Sequence, residues 1–295
     1  MKLFEPHIHM TSRTTDDYEA MARAGIRAVL EPASWIGQPR THVGTFEDYF
    51  TMLVGWERFR ASGFGIRHYC ALALDAKEAN DPVLAEGVLA ILPRYLAKEG
   101  VLAVGEIGFD AQTPAEETYF VRQLELACRF ELPVLVHTPQ RDKKHAVERT
   151  LALLRAHEFP MQRVLIGQNT EETLPLVLDA GAWAGHSIYP QTKMDEARMA
   201  VLVRRYGAER MVVNSAADWG SSDPLAVPRA AVAMRRAGIA EHDIERIVWS
   251  NPISFFGQSR RLSIEEVEQT AAVDQRHSTE EGSARRDQPP VVGAR

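Results

Sequence analysis

Short apolar runs separated by amphipathic segments recur along most of this chain. The apolar runs predict strands around Lys2 to His9, Ala28 to Glu31, Phe64 to Leu74, Val101 to Glu106, Pro133 to His137, Val164 to Ile166, Ala182 to Ile188 and Met211 to Asn214. Between them the apolar positions follow a helical period. Thr15-Asp16-Asp17 opens the first helix with cap-type residues, and Gly25 closes it where a helix C-terminus favours glycine. Further helices are predicted over Phe46 to Ala61, Pro82 to Ala97, Ala115 to Phe130, His145 to His157, Glu171 to Asp179, Asp195 to Tyr206 and Pro224 to Ala237. Eight strands, each followed by a helix over roughly 240 residues, predict an α/β fold of the (β/α)8 TIM barrel type, with an open doubly wound sheet as the alternative.

Asp243 to Trp249 and Pro252 to Phe256 are then expected to be closing helices that pack apolar faces against the barrel. From about Ala271 the chain turns to Gln, Arg, Ser, Glu and Gly with a Pro289-Pro290 pair, too polar to offset ordering entropy, so disorder is expected there. The barrel domain is expected to cover residues 1–262 and the polar tail residues 263–295.

Composition narrows the picture. A chain of 295 residues that is 45% hydrophobic can bury a large core. Its net charge of −6 argues against a protein that works mainly by neutralising phosphates, though nucleic acid held at a local site stays open. The two cysteines, Cys70 and Cys128, are each flanked by apolar residues and are expected to be buried, reduced thiols. No signal-peptide core and no run of roughly 18 apolar residues is present, so a soluble, cytoplasmic protein with no membrane partner is expected. The Gly-x-Gly-x-x-Gly and Gly-Lys-Ser/Thr nucleotide signatures are absent.

In a barrel, polar residues at strand C-termini face one mouth. Strand one ends in His7 and His9, strand four in Glu106 and strand five in His137, and strand eight leads to Asp218. With ten histidines in the chain, a His-x-His pair arises by chance about one time in three. Singly, His137 reads as a core histidine, Glu106 as a helix-start carboxylate and Asp218 as a cap. Together they are the ligand types that zinc, manganese and similar divalent ions accept. Such an ion acidifies water to a pKa of about 7 and polarises the electrophile. Asp218 is the candidate general base, and Glu106 would bridge if two ions bind. Hydrolysis of an ester, phosphoester or amide follows.

These motifs resemble the TatD family of metal-dependent hydrolases, within the amidohydrolase superfamily. The likeness is carried by His7/His9, by Gly105-Glu106-Ile107-Gly108-Phe109-Asp110, by Leu132 to His137 and by Asn251 to Gly257. It implies a TIM barrel, divalent ions, usually two, and hydrolysis of a phosphoester or related bond; one or two ions per chain (Zn, Mn, Mg or Co) are expected here. By that resemblance His7, His9, Glu106 and Asp218 would hold the first ion, and Glu106 and His137 would begin the second. Gln168 stands where the family's sixth strand ends in a histidine, and His186 is the candidate substitute. Ala216-Ala217-Asp218 replaces Glu-Thr-Asp, and the usual Gly-Ile-His-Pro after strand three is missing at Gly65-Ile66-Arg67-His68-Tyr69.

Trp35, Gln38, Arg40 and His42 after strand two, and Arg141, Lys143 and Lys144 after strand five, are candidate pocket residues; Arg40, Arg141 and Lys143 are the substrate-binding candidates. His68 is expected to be structural. The expected function is hydrolysis of a small ester or phosphoester metabolite. The alternatives are a TatD-type deoxyribonuclease and a barrel that binds a ligand without chemistry, the latter motivated by Gln168.

Overall fold

The computed structural model describes residues 1–35 and 37–269. Eight strands run β1 (Leu3–Glu5), β2 (Ile26–Pro32), β3 (Arg67–Leu72), β4 (Val101–Gly108), β5 (Val134–His137), β6 (Val164–Ile166), β7 (Trp183–Ser187) and β8 (Met211–Asn214). They pair in parallel in strict sequence order. A doubly wound sheet reverses order part-way, so the sequential order selects the barrel.

The β8–β1 seam is stitched rather than laddered. Ser215 N–H donates to both carboxylate oxygens of Glu5 (3.2 and 3.0 Å), Ala216 N–H to His7 C=O (2.9 Å) and His9 N–H to Ala217 C=O (2.9 Å). The residues that close the barrel therefore adjoin the histidine pair.

Alternation along the strands sorts two apolar layers. Ala28, Leu30, Tyr69 and Ala71 point into the lumen with Phe4, Leu135, Leu165 and Val212, while Val29, Cys70 and Leu72 face the helices. The lower end of the lumen is plugged by Phe255 and Phe256 of helix Asn251–Gly257; Phe256 meets Phe4 at 5.8 Å and Phe255 meets Trp183 at 5.7 Å between ring centroids. Burying each such ring contributes roughly 1.5–3 kcal/mol. The closing segments expected from sequence form one helical stretch, Glu241–Glu245, a π turn Arg246–Ser250 and then Asn251–Gly257.

The outer helices are α1 (Thr15–Arg23), α2 (Val43–Thr51), α3 (Glu57–Ser62), α4 (Pro82–Leu96), α5 (Pro114–Arg129), α6 (Lys143–Ala156), α7 (Leu174–Asp179), α8 (Glu196–Tyr206) and α9 (Ala226–Arg236). The cap of α1 is Thr14, one residue before the expected start, and it forms a capping box with Asp17. The helix expected from Phe46 to Ala61 is α2 and α3 joined by a π turn, Met52–Trp56. No described helix is long and apolar enough to cross a membrane.

Three expectations change. β1 ends at Glu5, before Pro6, whose nitrogen carries no hydrogen for a ladder, so His7 and His9 lie on the irregular stretch after the strand. Strand three begins only at Arg67, because Gly65 turns the chain at φ +69°. Cys70 is buried, but Cys128 is exposed, on the solvent side of α5. The polar segment from about residue 271 lies outside the described residues.

Candidate metal centre

His7, His9 and Glu106 each bring one ligand-type atom into a group whose members all lie within 4.8 Å of one another. The two imidazoles meet edge to face, ring centroids 5.2 Å apart. His7 N–H donates to Glu5 Oε1 at 3.1 Å, tying the histidine loop to the seam. The hydroxyl Oγ of Ser34 lies 3.1 Å from His9 Nδ1, a contact that fixes one ring nitrogen and leaves the other for a ligand role.

Glu106 reaches the group through a break in register. Gly105 pairs with Leu135 and Ile107 with Val136, so Glu106 is skipped in the ladder, and its N–H donates instead to Ala33 C=O at 3.2 Å. Gly105 makes that approach possible, because a Cβ there would fall 2.6 Å from Leu135 Cβ and 2.8 Å from Leu135 O. Gly105→Ala should therefore part β4 from β5, destabilising the fold by about 1–3 kcal/mol. Metal affinity should weaken with it, since Glu106 moves. Urea unfolding and metal titration of the variant check both.

Glu106 is shared between imidazoles. Its Oε2 lies 3.4 Å from His7 Nε2 and its Oε1 3.6 Å from His137 Nδ1. Burial pushes the carboxyl up, but His7, His137 and His9 outweigh it and hold Glu106 well below the usual range. Burial also lowers His7 to about 3, against the pull of Glu106, so its imidazole is neutral with a lone pair to give. Burial opposes protonation of His137 too, yet the Glu106 carboxylate raises it on balance.

His7 Nδ1 and Glu106 Oε1 are buried without a hydrogen-bond partner. A buried polar atom left unpaired costs about 1–3 kcal/mol. Two such atoms in one His/His/carboxylate group fit a divalent cation, whose chemistry that donor set matches.

Asp218 stands outside this tight group, on the segment after β8. Its Oδ1 accepts from Gly220 N–H (2.8 Å) and from the Tyr189 hydroxyl (3.3 Å). With His9, Thr11, Ser34, Trp35 and Trp219 it lines a cavity of about 180 Å³.

The other expected residues divide. The Gln168 amide oxygen accepts from Gln140 Nε2 (3.1 Å), and its nitrogen faces His137 Nδ1 at 3.5 Å, so it presents its donor end to the site. Arg40 is not available to a substrate, because its Nη1 donates to both carboxylate oxygens of Glu78 (2.9 Å to each) and its Nη2 donates to Ser34 C=O. It also stacks on Phe46 and Tyr49, so it braces the β2 loop from within. Arg141 is exposed, and Lys144 pairs with Glu172 at the surface. Lys143 is half-buried, its Nζ 3.0 Å from Thr138 Oγ1, and burial together with the charge of Lys193 lowers it to about 8. His68 is structural, as expected, its Nε2 2.8 Å from buried Glu31.

His186 does not reach the centre. Trp183 packs with the lumen residues, whereas Ala184 and Ile188 belong to the outer layer, and His186 shares their parity. It is fully buried there with both ring nitrogens unpartnered, and burial lowers it to about 4 from 6.5. The unfolded chain thus takes up this proton first. The stabilising contribution of neutral His186 is complete above about pH 6.5 and is lost, roughly 3 kcal/mol in all, as pH falls through 4. His186→Leu should flatten the acid side of the stability profile by that amount and leave metal content unchanged. Urea midpoints at pH 7 and pH 4.5 in both proteins make the comparison.

Two residues near the centre escaped the strand-end rule. Asp75, just past β3, is buried, its carboxyl pushed up by burial while the charge of His137 opposes. It lies one residue beyond the predicted third strand, so the rule could have reached it. Lys193 sits on the loop after β7 and feels the charges of Glu106 and Asp218, while burial lowers it. No strand-end signal marks a lysine that far into a loop.

Comparison with known proteins bears on this geometry. TatD related DNase matches residues 7–257 of the chain. The chain belongs to the TatD-related DNase family. As a family member it is a TatD-like, metal-dependent hydrolase. It is similar to an uncharacterized metal-dependent hydrolase of Methanocaldococcus jannaschii, 27% identical over 259 residues, which are 86% of this chain and 99% of that relative. The crystal structure of a TatD-like protein from Archaeoglobus fulgidus superposes with a TM-score of 0.71 at 25% identity, covering 86% of this chain and 99% of the other. A phosphotriesterase homology protein from Escherichia coli, crystallised with phosphate in its active site, shares the fold with a TM-score of 0.63 at 16% identity, covering 86% and 98%.

Proposed function

We propose that this TatD-family protein hydrolyses an ester or phosphoester bond of a small molecule, with His7, His9 and Glu106 holding a divalent ion and Asp218 acting as the general base. The observation that carries the reading is the His/His/Glu group, in which buried His7 and Glu106 each leave a polar atom unpartnered. When bound, the ion supplies a Lewis acid and water acidified to about 7. Glu106 turns a second oxygen towards His137, so that pair begins a second position, and the protein is expected to carry one or two ions per chain.

Asp218 is held through Oδ1 by Gly220 and Tyr189, at the edge of the cavity that His9 also lines. From there it can take a proton from water entering between them. A cavity of about 180 Å³ suits a small substrate or one protruding group of a larger one.

A second reading, a TatD-type deoxyribonuclease, is favoured by the pair Trp35 and Trp219 beside His9 and Asp218, Trp219 being 69% exposed. Exposed aromatics at a cavity mouth stack bases of single-stranded nucleic acid. Protein dialysed against chelator and reloaded with Zn, Mn, Mg or Co should hydrolyse aryl phosphates or aryl esters only when loaded. Full turnover in the chelated protein sinks the proposal. Degradation of single-stranded DNA without turnover of the small esters selects the second reading.

A further inference from the structure

Lys143, at the start of α6 after β5, and Lys193, on the loop after β7, follow the two strands that pair with β6, at whose C-terminal end Gln168 offers no positive charge and has its amide oxygen occupied by Gln140. Lys143 opens α6 and anchors on Thr138, next to His137. Lys193 leans on the Tyr189 ring at 5.0 Å, and the Tyr189 hydroxyl reaches Asp218. Among the described residues neither lysine has a carboxylate within salt-bridge distance, in contrast to Lys2, Lys77 and Lys144.

Both ammonium groups are half-buried, and burial together with the charge of Lys193 disfavours the Lys143 ammonium, a cost that an anion held beside it would offset. Lysine is a point-charge donor with three hydrogens, suited to phosphate oxygens whatever their orientation. Lys143 already donates to Thr138, which aims the remaining hydrogens.

We infer that Lys143 and Lys193 clamp the non-bridging oxygens of a phosphate monoester beside the metal centre and so set the preference of this site for doubly charged substrates. The inference rests on the reading of the site as a metal-dependent hydrolase. Lys143 and Lys193 are specificity-determining residues on this account. The third positive contribution to the substrate dianion comes from the centre itself.

The test uses the full chain loaded with metal, an aryl phosphate monoester, the matching methyl aryl phosphodiester and a neutral aryl ester. Lys193→Met and Lys143→Met should each lower the monoester-to-neutral ratio of kcat/KM by about tenfold or more, the worth of a hydrogen bond to a charged group. The inhibition constant of inorganic phosphate should rise in parallel. Lys193→Arg, which keeps the charge, should retain most of the preference, and the diester should respond less than the monoester. Ratios and phosphate inhibition that stay put in folded Met variants overturn the clamp, as does a Lys193→Met enzyme in which metal affinity alone changes. Should either Met variant fail to fold, Lys→Gln at the same position gives the same comparison. A wild-type protein without metal-dependent turnover defeats the underlying reading instead, and that result is obtained before any variant is made.

Discussion

Glu106→Gln yields a folded protein whose metal affinity and turnover both fall by at least about a hundredfold, the upper end of what is lost when only an outer contact to a ligand is removed. The side chain keeps its volume, so the register break at Gly105 and the contact with Leu135 survive. What disappears is the single negative charge at the middle of three imidazoles. In the native protein one oxygen faces His7 Nε2 and the other His137 Nδ1, and the charge holds all three rings in one electrostatic frame. An amide presents one oxygen and one NH2 group, so one of those two rings must meet a donor. Burial makes that mismatch costly, because water does not reach the group. Metal content after dialysis, together with turnover across a metal titration, separates weak binding from lost chemistry. Activity restored in full by excess metal means that Glu106 acts through affinity alone. An unchanged metal content removes it from the ligand set.

The fold was legible because the barrel repeats one simple pattern. Apolar runs such as Val164 to Ile166 and Met211 to Asn214 have no other use than as buried parallel strands, and they appear where expected. Boundaries failed where a single residue overrides the run. Pro6 cuts β1 short, Gly65 delays β3, and a π turn divides the second helix. Candidates for the site were legible to the extent that they sit at strand ends, which names His7, His9, Glu106, His137 and Asp218 from position alone. Which of them share one point in space is a matter of register and loop path. The slip at Glu106 brings it to His7 and His9, whereas Asp218 is drawn aside by Gly220 and Tyr189. Composition cannot distinguish a lysine that faces a pocket from one that faces solvent. Arg40, a candidate for the substrate, is thus locked to Glu78, while Lys193, which no sequence signal marked, is half-buried and feels the charges of Glu106 and Asp218. His186 shows the same limit on a strand, where its parity, shared with Ala184 and opposite to Trp183, decides its direction and only packing fixes that parity.

Asp218→Asn should lower kcat by about 10²- to 10⁴-fold, the range contributed by a positioned general base, while metal content stays near the native value. The expectation of retained metal follows from position: His7, His9 and Glu106 form the tight group without Asp218. The substitution is nearly isosteric, and an asparagine oxygen can still accept from Gly220 N–H and the Tyr189 hydroxyl. The loop that carries Trp219 should therefore keep its path. An amide cannot accept the proton of the attacking water, so the acid limb of the pH–rate profile, which reports the base, should vanish along with most of the rate. Arg13 donates to the Asp218 C=O, a backbone contact that the change leaves intact, so loss of rate cannot be charged to loss of the loop. Metal analysis and a pH–rate profile on the same preparation decide between two roles. If the ion leaves with the carboxylate, Asp218 is a ligand first. If the ion stays and the acid limb remains, the proton goes elsewhere, and buried Asp75 beside His137 becomes the residue to replace next.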